Sequence, residues 1–176
     1  MLETARLILR DWREEDIPTF AAMCADPDVM RHFPRLLSYD EAATMARRIR
    51  TGLARDGWGL WAVEIKDGAP FIGFVGLTKP DFRPNDEDVV EIGWRLAPTA
   101  WGQGYATEAA RAALAFGFTT LALPQIVSFT VPANLPSQRV MERIGMTRDP
   151  AADFDHPNVP AGSPLRRHWL WRRRAA

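Results

Sequence analysis

The chain has 176 residues, 47% hydrophobic and 25% charged, with a formal net charge of +0 at pH 7. That balance fits a globular protein read as a single domain over residues 1–176. It gives no electrostatic case for nucleic acid or an anionic membrane as partner. The lone cysteine, Cys24, excludes an intrachain disulfide and a multi-cysteine metal site. No apolar run approaches the roughly 18 residues of a spanning helix, and the early "LIL" is too short for a secretion-signal core, so a cytoplasmic location is expected.

"TARLILRDW" predicts an opening strand with Leu7 and Leu9 on one face. "REEDIPTFAAMCADP" predicts a short helix, acidic in its first turn and closed by Pro27. In "SYDEAATMARRIRTGLARDG", Ser38 and Glu41 have capping-box spacing and Gly57 is the expected stop. "WGLWAVEIK" and "PFIGFVGLTKP" predict an antiparallel hairpin around "KDGA". A polar loop, "FRPNDED", leads to a strand over residues 89–96, a glycine loop, and a helix over residues 106–119. A strand over residues 125–131 and a helix stopped at Gly145 follow. Residues 149–164 read as a Pro/Asp/Gly-rich segment, and "LRRHWLWRRR" as a last strand with Arg outward and Trp inward. The order indicates an α/β or α+β domain with a mixed sheet.

The glycine loop, "APTAWGQGYA", stands between a strand and a helix. A helix N-terminus carries unpaired N–H groups and a partial positive charge, which suit phosphate. Gly102 and Gly104 would let a pyrophosphate approach the backbone without a Cβ in the way. No Gly-Lys-Ser or Gly-Lys-Thr follows, so this is not a triphosphate loop, and no opening βαβ unit surrounds it. Alone, the loop serves phosphate binding or a plain turn equally well. In "VPANLPSQRVMERIGM" taken alone, Asn134 reads as a plain helix cap, with Pro136 in the first turn.

Taken in order, "RLILRDWREEDIPTF", "EIGWRLAPTAWGQGYATEA" and "NLPSQRVMERIGM" resemble the GNAT superfamily of acyl-CoA-dependent N-acetyltransferases, in its RimJ/RimL-like branch of ribosomal-protein N-terminal acetyltransferases. The resemblance covers most of the chain. It implies an α+β GNAT fold whose central mixed, mostly antiparallel sheet, flanked by helices, splays between two parallel strands, here residues 89–96 and 125–131. It implies acetyl-CoA as co-substrate and no metal. Backbone groups of Trp94 and Leu96 are expected to meet the pantetheine arm, with an N–H near Leu96 as oxyanion donor. The loop of Trp101, Gly102, Gln103, Gly104, Tyr105, Ala106 and Thr107 is expected to hold the pyrophosphate, and Asn134 the arm near the thioester.

Trp101 stands where many members carry Arg or Gln. Met141 stands where many carry a tyrosine acid, and Met has no proton to give. Ser137, in the N-x-x-S pattern, becomes the candidate acid. Glu91 is the candidate base, because a carboxylate on a central strand is unusual; the plain alternative is an ion pair with Arg95 or another cation. His156, in "DFDHPNVP", has the right intrinsic pKa for a base, or is an exposed loop residue. His32 lies in a loop expected to border the acceptor. Cys24 reads as a buried structural thiol rather than a nucleophile.

The expected acceptor is a primary amine attacking in a ternary complex, first a protein N-terminal α-amine such as that of a ribosomal protein. The alternatives are a small amine (polyamine, aminoglycoside or amino-acid-like metabolite) or a non-catalytic acyl-CoA-binding module. The basic, aromatic tail also admits single-strand binding, but its alternation fits a terminal strand better, so no nucleic-acid partner is expected. Monomer and homodimer both stay open.

Overall fold

The computed structural model describes residues 1–175. Strands β1 (Leu2–Glu3) and β2 (Leu7–Arg10) open the chain, followed by helices α1 (Asp16–Ala25) and α2 (Tyr39–Asp56). The predicted capping box forms at α2: Ser38 Oγ accepts from the Glu41 N–H at 3.3 Å, and the Glu41 carboxylate accepts from the Ser38 N–H at 2.8 Å. The helix stops at Gly57, as its position predicts. Strands β3 (Leu60–Ile65) and β4 (Gly73–Thr78) form the expected hairpin.

Next come β5 (Glu91–Leu96), α3 (Tyr105–Thr119), β6 (Gln125–Thr130), α4 (Leu135–Arg143), β7 (Thr147–Arg148), β8 (Phe154–Asp155) and β9 (Arg167–Arg174). They build a nine-stranded sheet in the order β1-β2-β3-β4-β5-β6-β9-β7, with β8 also paired to β9. Among the described residues every pairing is antiparallel except β5 with β6.

Helices cover both faces. On one, α3 lies so close that a Cβ on Gly117 would stand 2.6 Å from Ile126 Cδ1. On the other, Phe20 of α1 meets Phe74 of β4 at 6.0 Å, and Trp12 stacks edge-on to Phe20 at 5.1 Å. The Arg10 guanidinium is buried with Asp16, at 2.8 and 2.9 Å, and also reaches Glu64 at 2.6 Å. This network ties β2 to α1 and β3.

Three features differ from the sequence reading. Residues 149–164 are not wholly loop: they form a short turn at Pro150–Ala152 and strand β8. β9 is not split into an Arg face and a Trp face. Trp171 enters the main core, Leu170 a second cluster with Val89, Val127, Ala152 and Phe154, and Arg172 pairs inside with Glu87 and Asp149. Both faces of β9 are covered, so strict alternation has nothing to sort. The short strands β1, β7 and β8 carry too few residues to show a period.

Candidate active site

Strands β5 and β6 meet at a single register pair, Glu91 with Val127. The Val90 carbonyl accepts from the Val127 N–H at 2.9 Å, and the Ile92 carbonyl accepts from Ser128 Oγ at 2.8 Å. Beyond that point the strands part. Backbone polar groups of alternate residues point to the same side of a strand. The Val90 and Ile92 carbonyls face β6, so the N–H groups of Trp94 and Leu96 face the gap. The Leu96 carbonyl is taken by the Trp101 indole Nε1 at 2.8 Å. Trp101 therefore pins the start of the loop, a job the sequence did not indicate.

At the mouth of the gap, Gly102 and Gly104 have φ of 74° and 80°, values that a side chain would strain. Gly104 is the N-cap of α3 and offers no side chain to it. The N–H groups of Tyr105, Ala106 and Thr107 thus begin the helix without partners in it. Arg6 braces this turn. Its Nη1 donates to the Gln103 carbonyl at 3.0 Å, its Nη2 pairs with Glu108 at 2.7 Å, and it lies 4.6 Å over the Tyr105 ring. Thr4, Arg6, Gly104, Thr107, Arg111 and Arg143 line an open groove of about 630 Å³ beside it. Sequence reasoning missed Arg6, Arg111 and Arg143. Arg6 comes from the far end of the chain, out of reach of any local pattern.

Asn134 caps α4: Oδ1 accepts from the Ser137 N–H at 3.3 Å, while Nδ2 donates to Thr130 Oγ1 at 2.9 Å. Ser137 Oγ in turn accepts from the Trp94 indole Nε1 at 3.3 Å, across the gap from β5 to α4. With one lone pair so engaged, the Ser137 hydroxyl proton is free to point elsewhere. Met141 is buried in the core, away from any such role.

Glu91 lies on the other face of β5, with Gly93 and Arg95. Its Oε1 would be 3.8 Å from a Cβ on Gly93, so the carboxylate folds along its own strand over that bare position. No ion pair reaches it among the described residues, and burial pushes its carboxyl up to about 8. The expected alternative, an ion pair with Arg95, is overturned: Arg95 Nη1 donates to Cys24 Sγ at 3.2 Å. Cys24 is buried, and burial raises its thiol pKa, so a neutral, structural thiol fits.

His156 shares this face through Phe129. Val127 opposes Glu91 in register, and Phe129 follows two residues on. Phe129 joins Phe82, Phe154, His156 and His168 in an aromatic cluster, with the two imidazoles 4.9 Å apart. Burial, with help from His168, lowers His156 to about 4. Its Nδ1 accepts from the Asn158 N–H at 3.2 Å, which places the neutral ring's proton on Nε2. His156 is thus half-buried rather than an exposed loop residue. His32 lies half-buried between α1 and α2, its pKa lowered by burial and by Arg31.

A parted pair of parallel strands, inward N–H groups and a bare helix N-terminus at the mouth make a cleft lined with unpaired backbone donors. Residues 6–147 match the acetyltransferase (GNAT) domain family. The chain is 31% identical over 162 residues to the uncharacterized N-acetyltransferase YnaD of Bacillus subtilis, covering 92% of this chain and 89% of that one. It is 32% identical over 153 residues to the FsC-acetyl coenzyme A-N(2)-transacetylase of Aspergillus fumigatus, covering 83% of this chain and 64% of that one. A solved GNAT-family acetyltransferase from Bacillus anthracis superposes with a TM-score of 0.81 at 26% identity, covering 98% and 97% of the two chains. The protein belongs to the GNAT acetyltransferase family and is an acetyl-CoA-dependent N-acyltransferase.

Proposed function

We propose that the chain works as one catalytic domain over residues 1–176, of the RimJ/RimL-like branch, acetylating a primary amine that is first a protein N-terminal α-amine. The observation that carries the chemistry is the parting of β5 and β6 just past Glu91. The N–H groups of Trp94 and Leu96 turn into that gap. They suit the amide-bearing pantetheine arm and, near the reacting carbonyl, the charge that develops on its oxygen. The turn from Trp101 to Thr107, braced by Arg6, suits the pyrophosphate.

The amine attacks from the Glu91 face of β5. Its nitrogen bonds the carbonyl carbon, and the carbon–sulfur bond breaks with its electron pair leaving on sulfur. Glu91, directly or through a water, takes the proton the amine sheds. The desolvated carboxylate is a stronger base than an exposed one. Ser137 Oγ, held by Trp94, donates a hydrogen bond to the departing sulfur, so coenzyme A leaves as a stabilised thiolate that takes its proton from solvent water. Asn134 fixes Ser137 by capping its helix, and its free amide N–H suits a carbonyl of the arm. Glu91 fits the base role better than His156, whose Nδ1 lone pair is already spent on Asn158.

A small-molecule amine is the second reading, favoured by the fungal relative named a transacetylase at N(2) of FsC. Initial rates measured with acetyl-CoA and acceptor both varied test the direct attack. Intersecting lines are expected, and parallel lines would instead require an acetylated enzyme.

A further inference from the structure

Three charged side chains are buried among the described residues: Arg10, Asp16 and Arg95. Arg10 and Asp16 neutralise each other. Arg95 has no carboxylate partner among the described residues. It is 8% exposed, its Nη1 reaches a thiol, and its Nε finds no acceptor. Three rings surround its guanidinium carbon, Phe33 at 4.2 Å, Phe74 at 5.6 Å and Phe20 at 5.8 Å. Aromatic faces compensate a buried cation in part, but an orphaned N–H and a missing counter-charge are costly to keep inside a fold.

The position of Arg95 says what could supply that charge. It lies on the free stretch of β5 beyond the last pair with β6, on the face that carries Glu91. Between them stands Gly93, where an added Cβ would meet only Glu91 Oε1, at 3.8 Å, so no side chain other than that of Glu91 covers the backbone there. The two Cα atoms are about 13 Å apart along the strand, and both side chains are long enough to shorten that span. Of the three rings, Phe33 alone is markedly exposed, at 40%, on the segment between α1 and α2. It closes Arg95 from the solvent side.

We infer that Arg95 is a specificity-determining residue that receives a carboxylate carried by the acceptor a few bonds from its reacting amine, Phe33 turning aside to admit it. Glu91 then faces the amine and Arg95 the acid, on either side of Gly93. This rests on the N-acetyltransferase reading and narrows its acceptors to amines that bear an acid, either free amino acids or peptides with an acidic first residue.

The test is coenzyme A release with matched acceptors: L-methionine and L-leucine against their α-amides, and a peptide starting with Asp against one starting with Asn. Acids should exceed their neutral partners at least tenfold in kcat/KM, chiefly through KM, and the pair that discriminates identifies the source of the acid. Arg95→Met should erase that ratio and Arg95→Lys restore part of it, whereas a purely structural arginine would lower stability and leave the ratio alone. Thermal stabilisation by the N-acetylated acids and by their amides is measured alongside, with no turnover needed. Acids that stabilise the wild type more than their amides do, without turnover on any amine, would support Arg95 and sink the transferase reading. Equal use of acids and amides would overturn the role of Arg95 and leave the transferase standing. Absence of acid preference in both assays overturns it as well, and needs no variant to fold.

Discussion

The indole Nε1 of Trp94 donates to Ser137 Oγ at 3.3 Å, so a side chain of β5 spans the gap that its own backbone leaves open toward α4. Removing the hydroxyl should therefore touch the departing sulfur and little else. Ser137→Ala is expected to lower kcat about tenfold, the low end of acid catalysis because a thiolate leaves readily, with KM for acetyl-CoA nearly unchanged. Full kcat in this variant, measured at saturating acetyl-CoA, would remove Ser137 from the chemistry.

Glu91 makes a prediction about pH. Its carboxyl is pushed up to about 8 by burial, and the base must be ionised to act. The rate at saturating acceptor should rise through about pH 8. Glu91→Gln should lower kcat by a factor on the order of 100 or more and leave whatever limb belongs to the amine itself. An unchanged profile in that variant would assign the base elsewhere.

The same group affects stability. Its folded value, about 8, lies above the ordinary 4.5, so the folded state holds the proton more tightly. That contribution is complete below the ordinary value and is lost as pH rises through the folded one. The melting temperature of the wild type should thus fall relative to Glu91→Gln between about pH 5 and pH 9. A difference that stays constant with pH would contradict the desolvation of this carboxyl.

At Gly102 the prediction is one of backbone alone. A Cβ there meets nothing within 4 Å, yet φ is +74°. Gly102→Ala should cost about 1–2 kcal/mol where the turn is kept, or distort the turn. Either way KM for acetyl-CoA rises, while KM for the acceptor does not. Calorimetric binding of acetyl-CoA separates this from a general loss of fold.

Asp16→Ala leaves the buried Arg10 with Glu64 as its one carboxylate partner among the described residues, beside the Asp11 and Pro70 carbonyls. Loss of one partner from a buried pair costs about 3–5 kcal/mol, which chemical denaturation will read directly.

Much of this was legible in the chain because it is local. Ser38 with Glu41, the "KDGA" turn, and the strand–glycine–helix order each need only a few neighbouring residues. What stayed hidden is contact between distant segments. Arg6 meets Gln103 and Glu108 from the other end of the chain. Arg95 looked like the partner of Glu91, since strand periodicity puts both on one face. Periodicity cannot tell that Gly93 leaves room for the Glu91 carboxylate, or that Cys24 and Phe33 arrive from the α1 side. His156 read as a loop residue because its aromatic neighbours, Phe82 in the segment before β5 and Phe129 on β6, reach it only in three dimensions.

The most direct measurement is acetyl-CoA binding by calorimetry, paired with amine-dependent release of coenzyme A across ribosomal-protein N-terminal peptides, polyamines, aminoglycosides and amino acids. The cleft between β5 and β6 predicts binding of one acetyl-CoA per chain, and thiol release that depends on one class of amine and is matched by acetylated product. A chain that binds no acetyl-CoA would contradict the assignment of that cleft.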